Sequence, residues 1–259
     1  MNAVMAGCRP EYLPVVIAGV EAMCDDAFAL TGISGTTDAV APLFIVNGPI
    51  RARLGINGAA GLLGPGFRAN ATIGRALRLV WANVGGARPG GISMSTFGNA
   101  ARYAACFAEY EEESPWEPLS VEHGFARADS TVAALPGEPL QVCADPHSRT
   151  ARDVLMTVAR SLAVVASHTL RELGDTLLIV SPLHARVIGG DGWSKADARA
   201  FLYEETGRVA GPGPAPKFRE PAALHLIVGG GTAGAFTAIV PGWPFPKSPA
   251  RLVIKKIIE

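Results

Sequence analysis

Three stretches of the sequence bring together residue types that do chemistry. The first is Cys8-Arg9-Pro10-Glu11, a thiol beside a guanidinium where a helix is expected to begin. Proline at a first helical position forfeits no hydrogen bond, so the spacing predicts a helix over 10–24, with Pro14 still near its opening turn. Free N–H groups and the positive end of a helix stabilise a thiolate, and a neighbouring arginine adds to the effect. Cys8 is therefore a candidate nucleophile. The same residues also fit a small buried hydrophobe at a corner of the fold, the usual place of a free cysteine. Cys24, Cys106 and Cys143 have no such setting.

The second stretch is GINGAAGLLGPGFRAN, residues 55–70, in which five glycines precede a helix flanked by Arg68 and followed by Arg75. Converging backbone N–H groups, a helix start and guanidinium groups attract a carboxylate or a phosphate. No G-K-[ST] follows, so this is not a triphosphate-binding loop, and no nucleotide cofactor is expected. A tightly packed glycine loop with Arg68 in a structural ion pair fits the residues equally well. Asn47, Arg51 and Asn57 lie close enough in sequence to line the same mouth.

The third is EYEEESPW, residues 109–116, with His123 shortly after. Four carboxylates in a short window supply a general base or a hard-metal site if two of them point inward, and otherwise a solvated face. Glu112 and His123 are the candidate proton carriers, and whether a metal is held is left open. The sequence contains neither H-E-x-x-H nor G-x-S-x-G. Gly229, Gly231 and Gly234 match G-x-G-x-x-G after a strand, but an apolar run closed by Pro241 follows instead of a helix. They read as a turn between strands that lets a substrate or partner approach the backbone.

These groups need elements to position them. A short apolar run at 43–46 ends at Asn47-Gly48, as a buried strand does at a turn. Ile73, Ala76, Leu77, Val80, Trp81 and Val84 fall on one face of a helix over 70–84, with Asn70 as its cap and Gly85 as its stop. A further helix is predicted over 149–168, then a strand at 176–180. Ser194 and Asp197 form a capping box for a helix to about 205, and strands follow at 224–228, 236–240 and 252–257. The pattern predicts an α/β class: a mixed sheet flanked by helices, with Gly/Pro-rich loops. One domain over 1–259 is expected, with a lobe break only near 135–150 and a linker-like GPGPAP at 211–216.

Lys plus Arg and Asp plus Glu each total 23, so no basic surface recommends nucleic acid as a partner. The apolar run 13–20 is too short to span a bilayer. Widely spaced cysteines suit a reducing compartment, so the expected location is cytoplasmic.

The strings NAVMAGCRPEYLPVV, PLFIVNGPIRARLGIN, GPGFRANATIGRALRLV, NVGGARPG, EEESPWEPLSVEHGF and DGWSKADARAFL together resemble the C-terminal region of the UGSC-type (seleno)proteins. That family is named for a selenocysteine or cysteine in a U-G-S-C motif, reminiscent of the selenoprotein B component of glycine and sarcosine reductases. In fused members a U-G-S-C segment precedes the NAVMAGC string, whereas this sequence opens on that string and contains no G-S-C. The resemblance implies one subunit of a split, hetero-oligomeric enzyme whose partner subunit carries the U/C-G-S-C-type motif. It carries over Cys8, Arg9 and Glu11; Asn47; Arg68, Asn70 and Arg75; Glu112, Ser114 and Trp116; and Ser194 and Lys195. The expected function is an oxidoreductase subunit doing thiol- or selenol-dependent chemistry on a small anionic organic substrate at a shared site. Two alternatives stay open: a lyase or hydrolase using carboxylate and histidine acid–base chemistry, with or without a metal, and a non-catalytic scaffold.

Overall fold

The computed structural model describes residues 1–167, 170–213, 215–244 and 250–258. The chain opens on a short helix, α1 (Asn2–Ala6), which Gly7 stops by turning left-handed at a φ of 83°. A 3-10 turn at Pro10–Tyr12 leads into α2 (Leu13–Met23), so the helix expected over 10–24 is present in two pieces. Helix α3 (Leu30–Gly35) precedes strand β1 (Ala41–Asn47), and α4 (Ile50–Leu54) follows it. The glycine loop then enters α5 (Arg68–Asn83), which buries Ile73, Ala76, Leu77 and Trp81 along the expected stripe. Strand β2 (Cys106–Ala108), α6 (Leu119–Glu122) and β3 (Thr131–Gly137) follow.

The remainder alternates helix and strand: β4 (Gln141–Ala144), α7 (Ala151–Val164), β5 (Thr176–Val180), α8 (Pro182–Gly190), α9 (Lys195–Ala210), β6 (Leu224–Val228), β7 (Phe236–Val240) and β8 (Val253–Lys256). Helix α9 opens on the expected capping box, with Ser194 and Asp197 bonding each other's backbone. His168, the expected end of the helix preceding β5, and Pro214 of the GPGPAP stretch lie outside the described residues.

The class is α/β, and the strands form two mixed sheets. One has the order β2-β1-β3-β8 and the other β4-β7-β5-β6. In the first, β1 runs parallel to β2 and antiparallel to β3; in the second, β5 runs parallel to β6 and antiparallel to β7. Side chains alternate along a strand, so each sheet has two faces to cover. Leu43 and Ile45 of β1, Phe107 of β2 and Leu135 of β3 meet Leu177 and Ile179 of β5, Ile227 of β6 and Val240 of β7 between the sheets. Phe44, Val46, Val132 and Ala134 turn the other way, into a core with α2 and α5. Leu178, Val180, Leu226 and Val228 likewise face α7, α8 and α9. The result is four layers: helices, sheet, sheet, helices.

Burial on both faces explains why the strands read as unbroken apolar runs. It also explains what the sequence hid. Residues 135–139, read as a break, hold the end of β3, where Leu135, Pro136 and Gly137 pair with Leu43, Pro42 and Ala41. Beyond Gly137 the chain crosses to β4 in the second sheet. Asn70 is not the cap of α5; Phe67 occupies that position and Asn70 is buried inside the helix.

The inter-sheet core gives a direct test. Phe107 is fully buried there, so Phe107→Ala is expected to lower stability by about 3–5 kcal/mol in chemical denaturation. A loss below about 1 kcal/mol would contradict close packing of the two sheets.

Candidate functional site

The parallel pair β1 and β2 ends on one edge, and the acidic run wraps that edge. Asn47 closes β1, and Glu109 follows β2 directly. Glu109 is fully buried; its Oε2 accepts hydrogen bonds from Asn47 Nδ2 at 2.6 Å and from the Leu119 N–H at 2.8 Å. Its Oε1 has no hydrogen-bond partner among the described residues and lies 3.9 Å from Lys195 Nζ. Burial pushes the Glu109 pKa up, against the opposing pull of Lys195. Lys195 is itself buried and donates to Glu122 Oε2 and to the Glu117 carbonyl, both at 2.7 Å. Arg199 holds the other oxygen of Glu122 at 2.8 Å.

Arg51 closes the outer side of this edge. It donates to the Glu109 carbonyl and pairs with Glu111 and Glu112. Its hydrogen bonds hold the Glu112 carboxyl below the usual range, and the Glu112 side chain is mostly exposed. Ser114 and Trp116 serve the turn: Ser114 Oγ bonds the Trp116 backbone, and Trp116 Nε1 donates to the Trp193 carbonyl at 2.9 Å. His123 ends α6 with its ring centroid 5.6 Å from that of His225, which pairs with Asp175 at 3.1 Å. Water loss at that stacked face, and then His225, push the His123 pKa down, so it stays neutral at neutral pH. This edge is a latch of charged groups. It joins the first half of the chain to α9 and buries Asn47, Glu109 and Lys195, while Glu112 and His123 stay exposed.

The thiol corner also differs from expectation. Cys8 follows the C-terminal end of α1, its N–H donating to the Ala3 carbonyl in the bond pattern that closes a helix on a glycine. It therefore lies between the end of α1 and the expected helix start, with Arg9 capping the Pro10–Tyr12 turn that leads into α2. The Cys8 thiol is half-buried, donates to the Thr72 carbonyl at 3.2 Å, and has its pKa raised by burial against smaller effects of Thr72 and Arg68. Burial raises Cys143 as well and pushes Cys106 up to about 12. Arg9 and Glu11 are exposed beside the corner. Arg68 is exposed, and its guanidinium donates twice to the Gly7 carbonyl, at 3.0 and 3.2 Å.

The glycine loop is occupied by protein. Asn70 accepts from the Asn57 N–H and donates to the Asn57 and Leu62 carbonyls. Gly58 packs so closely on the Ala108 carbonyl that a Cβ there would collide with it. The turn at Gly229–Gly231 connects β6 and β7, and the backbone it admits is the loop's own, with the Gly230 N–H donating to the Gly58 carbonyl at 2.8 Å.

A basic cavity lies on the opposite side of α5 from this loop's anchor. Arg75 and Arg78, three residues apart on the helix, line a hollow of about 700 Å³ together with Ser93, Phe97, Asn99 and Arg102. Trp81 is buried beneath two of these arginines. The guanidinium carbons of Arg78 and Arg102 lie 4.7 and 5.2 Å from the Trp81 ring centroid, and the indole N–H is anchored on Ser34 Oγ at 2.7 Å. Arg102 is committed, with Nε and Nη2 donating to the Val40 carbonyl and Nη1 to Ser93 Oγ. Arg78 is not: Nη2 donates to the Ala87 carbonyl, while its buried Nη1 has no hydrogen-bond partner among the described residues. Burial lowers the Arg78 pKa, and the neighbouring charges of Arg102 and Arg75 lower it further. No carboxylate among the described residues pairs with Arg75 or Arg78. Asp38 and Glu138 face Arg102 instead, and burial with the Asp38 hydrogen bond pushes Glu138 up to about 8. Of the residues expected to bind substrate, Arg75 alone lines this cavity.

Among the described residues no group of three or more His, Cys, Asp and Glu side chains is placed to hold a metal ion, and no helix is long and apolar enough to cross a membrane. No protein-family model matches the chain, and no curated protein matches it in sequence.

Two outcomes are expected. Lys195→Met leaves the buried Glu109 without its one nearby cation among the described residues, so it should cost about 3–5 kcal/mol, and adding Glu109→Gln should return part of the loss. For Glu138, an unfolded chain releases the proton in the ordinary carboxylate range, whereas the folded chain keeps it to about 8. Between those values the folded state binds more protons, so stability falls as pH rises. Melting curves across that window should decline less for Glu138→Gln than for the wild type, at roughly 2–4 °C of Tm per kcal/mol.

Proposed function

We propose that this chain is the anion-holding component of a composite enzyme, binding a small organic anion in the arginine cavity for thiol- or selenol-dependent redox chemistry. The redox nucleophile is supplied by a partner polypeptide carrying a U/C-G-S-C-type motif. The observation that carries the reading is the gathering of Arg75, Arg78 and Arg102 along one cavity, with no carboxylate among the described residues paired with Arg75 or Arg78. Guanidinium groups crowded in this way repel one another until an anion enters. The states of Cys8, Cys106 and Cys143 support the division of labour, since burial disfavours the thiolate in each. Val4, Met5, Leu13 and Ile17 leave exposed apolar surface on the first two helices, next to the thiol corner, where a partner would bury it.

Titration calorimetry of the full chain with acetate and with inorganic phosphate tests the binding step. Hydrogen bonds to a charged group contribute about 1.5–3 kcal/mol each, so Arg78→Met should weaken binding by roughly tenfold to a hundredfold while leaving the fold intact. Arg68→Met, which touches only the Gly7 carbonyl, should leave affinity unchanged. Equal losses from both variants would show that general surface charge, and not this cavity, attracts the anion.

A further inference from the structure

The arginine cavity continues beyond its charged end. Asn99 and Ala100 line both it and a second hollow of about 300 Å³, which runs past Glu138 to Leu63 and Leu140. Leu63 and Leu140 in turn line a third hollow of about 510 Å³, walled by Val142, Ile179, Phe236 and the Gly229–Gly231 turn. The three adjoin one after another through these shared side chains.

Charge is distributed unevenly along them. Three guanidinium groups lie at one end. The middle has a single carboxyl, Glu138, which burial and Asp38 keep protonated to about 8, so at neutral pH it carries no charge that would repel an apolar chain. The far end has no ionisable side chain in its walls. There Leu63, Leu140, Val142 and Phe236 are 45%, 38%, 64% and 48% exposed, a gathering of large apolar side chains around one groove. Apolar surface concentrated in a concavity, continuous with a cationic pocket, is complementary to a molecule that has both kinds of surface.

We propose that the ligand of the arginine cavity is an amphipathic anion, with its carboxylate or phosphoryl head on Arg75 and Arg78 and its extended apolar body along the second and third hollows. This rests on the anion-holding reading above and narrows its substrate class. A carboxylate and a phosphoryl head present the same chemistry to the arginines, so octanoate and octyl phosphate serve as the two probes.

The experiment is calorimetry of the full chain with acetate, inorganic phosphate, octanoate and octyl phosphate, repeated on Leu140→Asp. Leu140 lies in the connection between β3 and β4, and circular dichroism confirms that the variant folds. Each buried CH₂ should tighten binding about fourfold, so octanoate is expected to bind at least about a hundredfold tighter than acetate. Octyl phosphate should exceed inorganic phosphate in the same way, and whichever octyl probe binds more tightly identifies the head. Leu140→Asp should remove most of the gain for both octyl probes. If acetate and octanoate bind equally, the amphipathic ligand is overturned while the anion-holding reading stands. If no anion binds, that reading fails as well. If the octyl gain survives in Leu140→Asp, the body does not follow this path and the proposal is overturned.

Discussion

The fold depends on the contact between its two sheets. Strands β1, β3, β5 and β6 alternate between that contact and an outer helical layer, so none of their registers can slip by one residue without exchanging the two cores. Ile45 and Val46 are neighbours in sequence yet belong to different cores, as are Leu178 and Ile179. The chain reinforces the arrangement by returning β8 to the first sheet after the second is complete. The second sheet comes from one continuous segment, β4 to β7, whereas the first takes its last strand from beyond that segment, which couples the two structurally.

Polar groups are divided between two tasks by burial. At the shared ends of β1 and β2, most charged groups have found partners: Lys195 and Arg51 are surrounded by acceptors, and Glu109 is enclosed by Asn47, Leu119 and Lys195, with only its Oε1 accepting no hydrogen bond among the described residues. Such a network favours one arrangement of the layers and leaves little capacity for a ligand. At the arginine cavity the balance is reversed. Arg78 and Arg102 pack on Trp81, burial and then the Arg102 charge depress the Arg78 pKa, and Arg75 brings a further positive charge with no carboxylate among the described residues to meet it. Like charges held together by packing are what an anion-binding pocket requires before its ligand arrives.

Much of the fold was legible in local pattern. The runs Thr176–Val180, Leu224–Val228 and Phe236–Val240 are strands with the bounds their composition suggests, and the Ser194–Asp197 box opens a helix as its chemistry demands. Strand β3 was hidden because Pro136 and Gly137 read as a turn, although β1 pairs with it through Ala41. Strands β2 and β4 are too short for periodicity to register. The site was harder to read for a different reason. Cys8, Arg68 and Asn70 carry functional residue types, but carbonyls and an amide N–H contributed from distant parts of the chain satisfy them. Arg78 stands three residues after Arg75 and was within reach of the helical pattern. Arg102 joins them only through tertiary packing on Trp81, which local spacing does not encode.

The central claim is that Arg75 and Arg78 form a receptive anion site, distinct from the other surface arginines. Side-chain nitrogen–proton NMR of arginine, recorded while inorganic phosphate is titrated into the full chain, tests it at the atoms concerned. The account requires saturable shifts at Arg75 and Arg78, accompanied by the Trp81 indole beneath them, with Arg9 and Arg68 unmoved. Shifts that never saturate and are spread equally over all exposed arginines would contradict it.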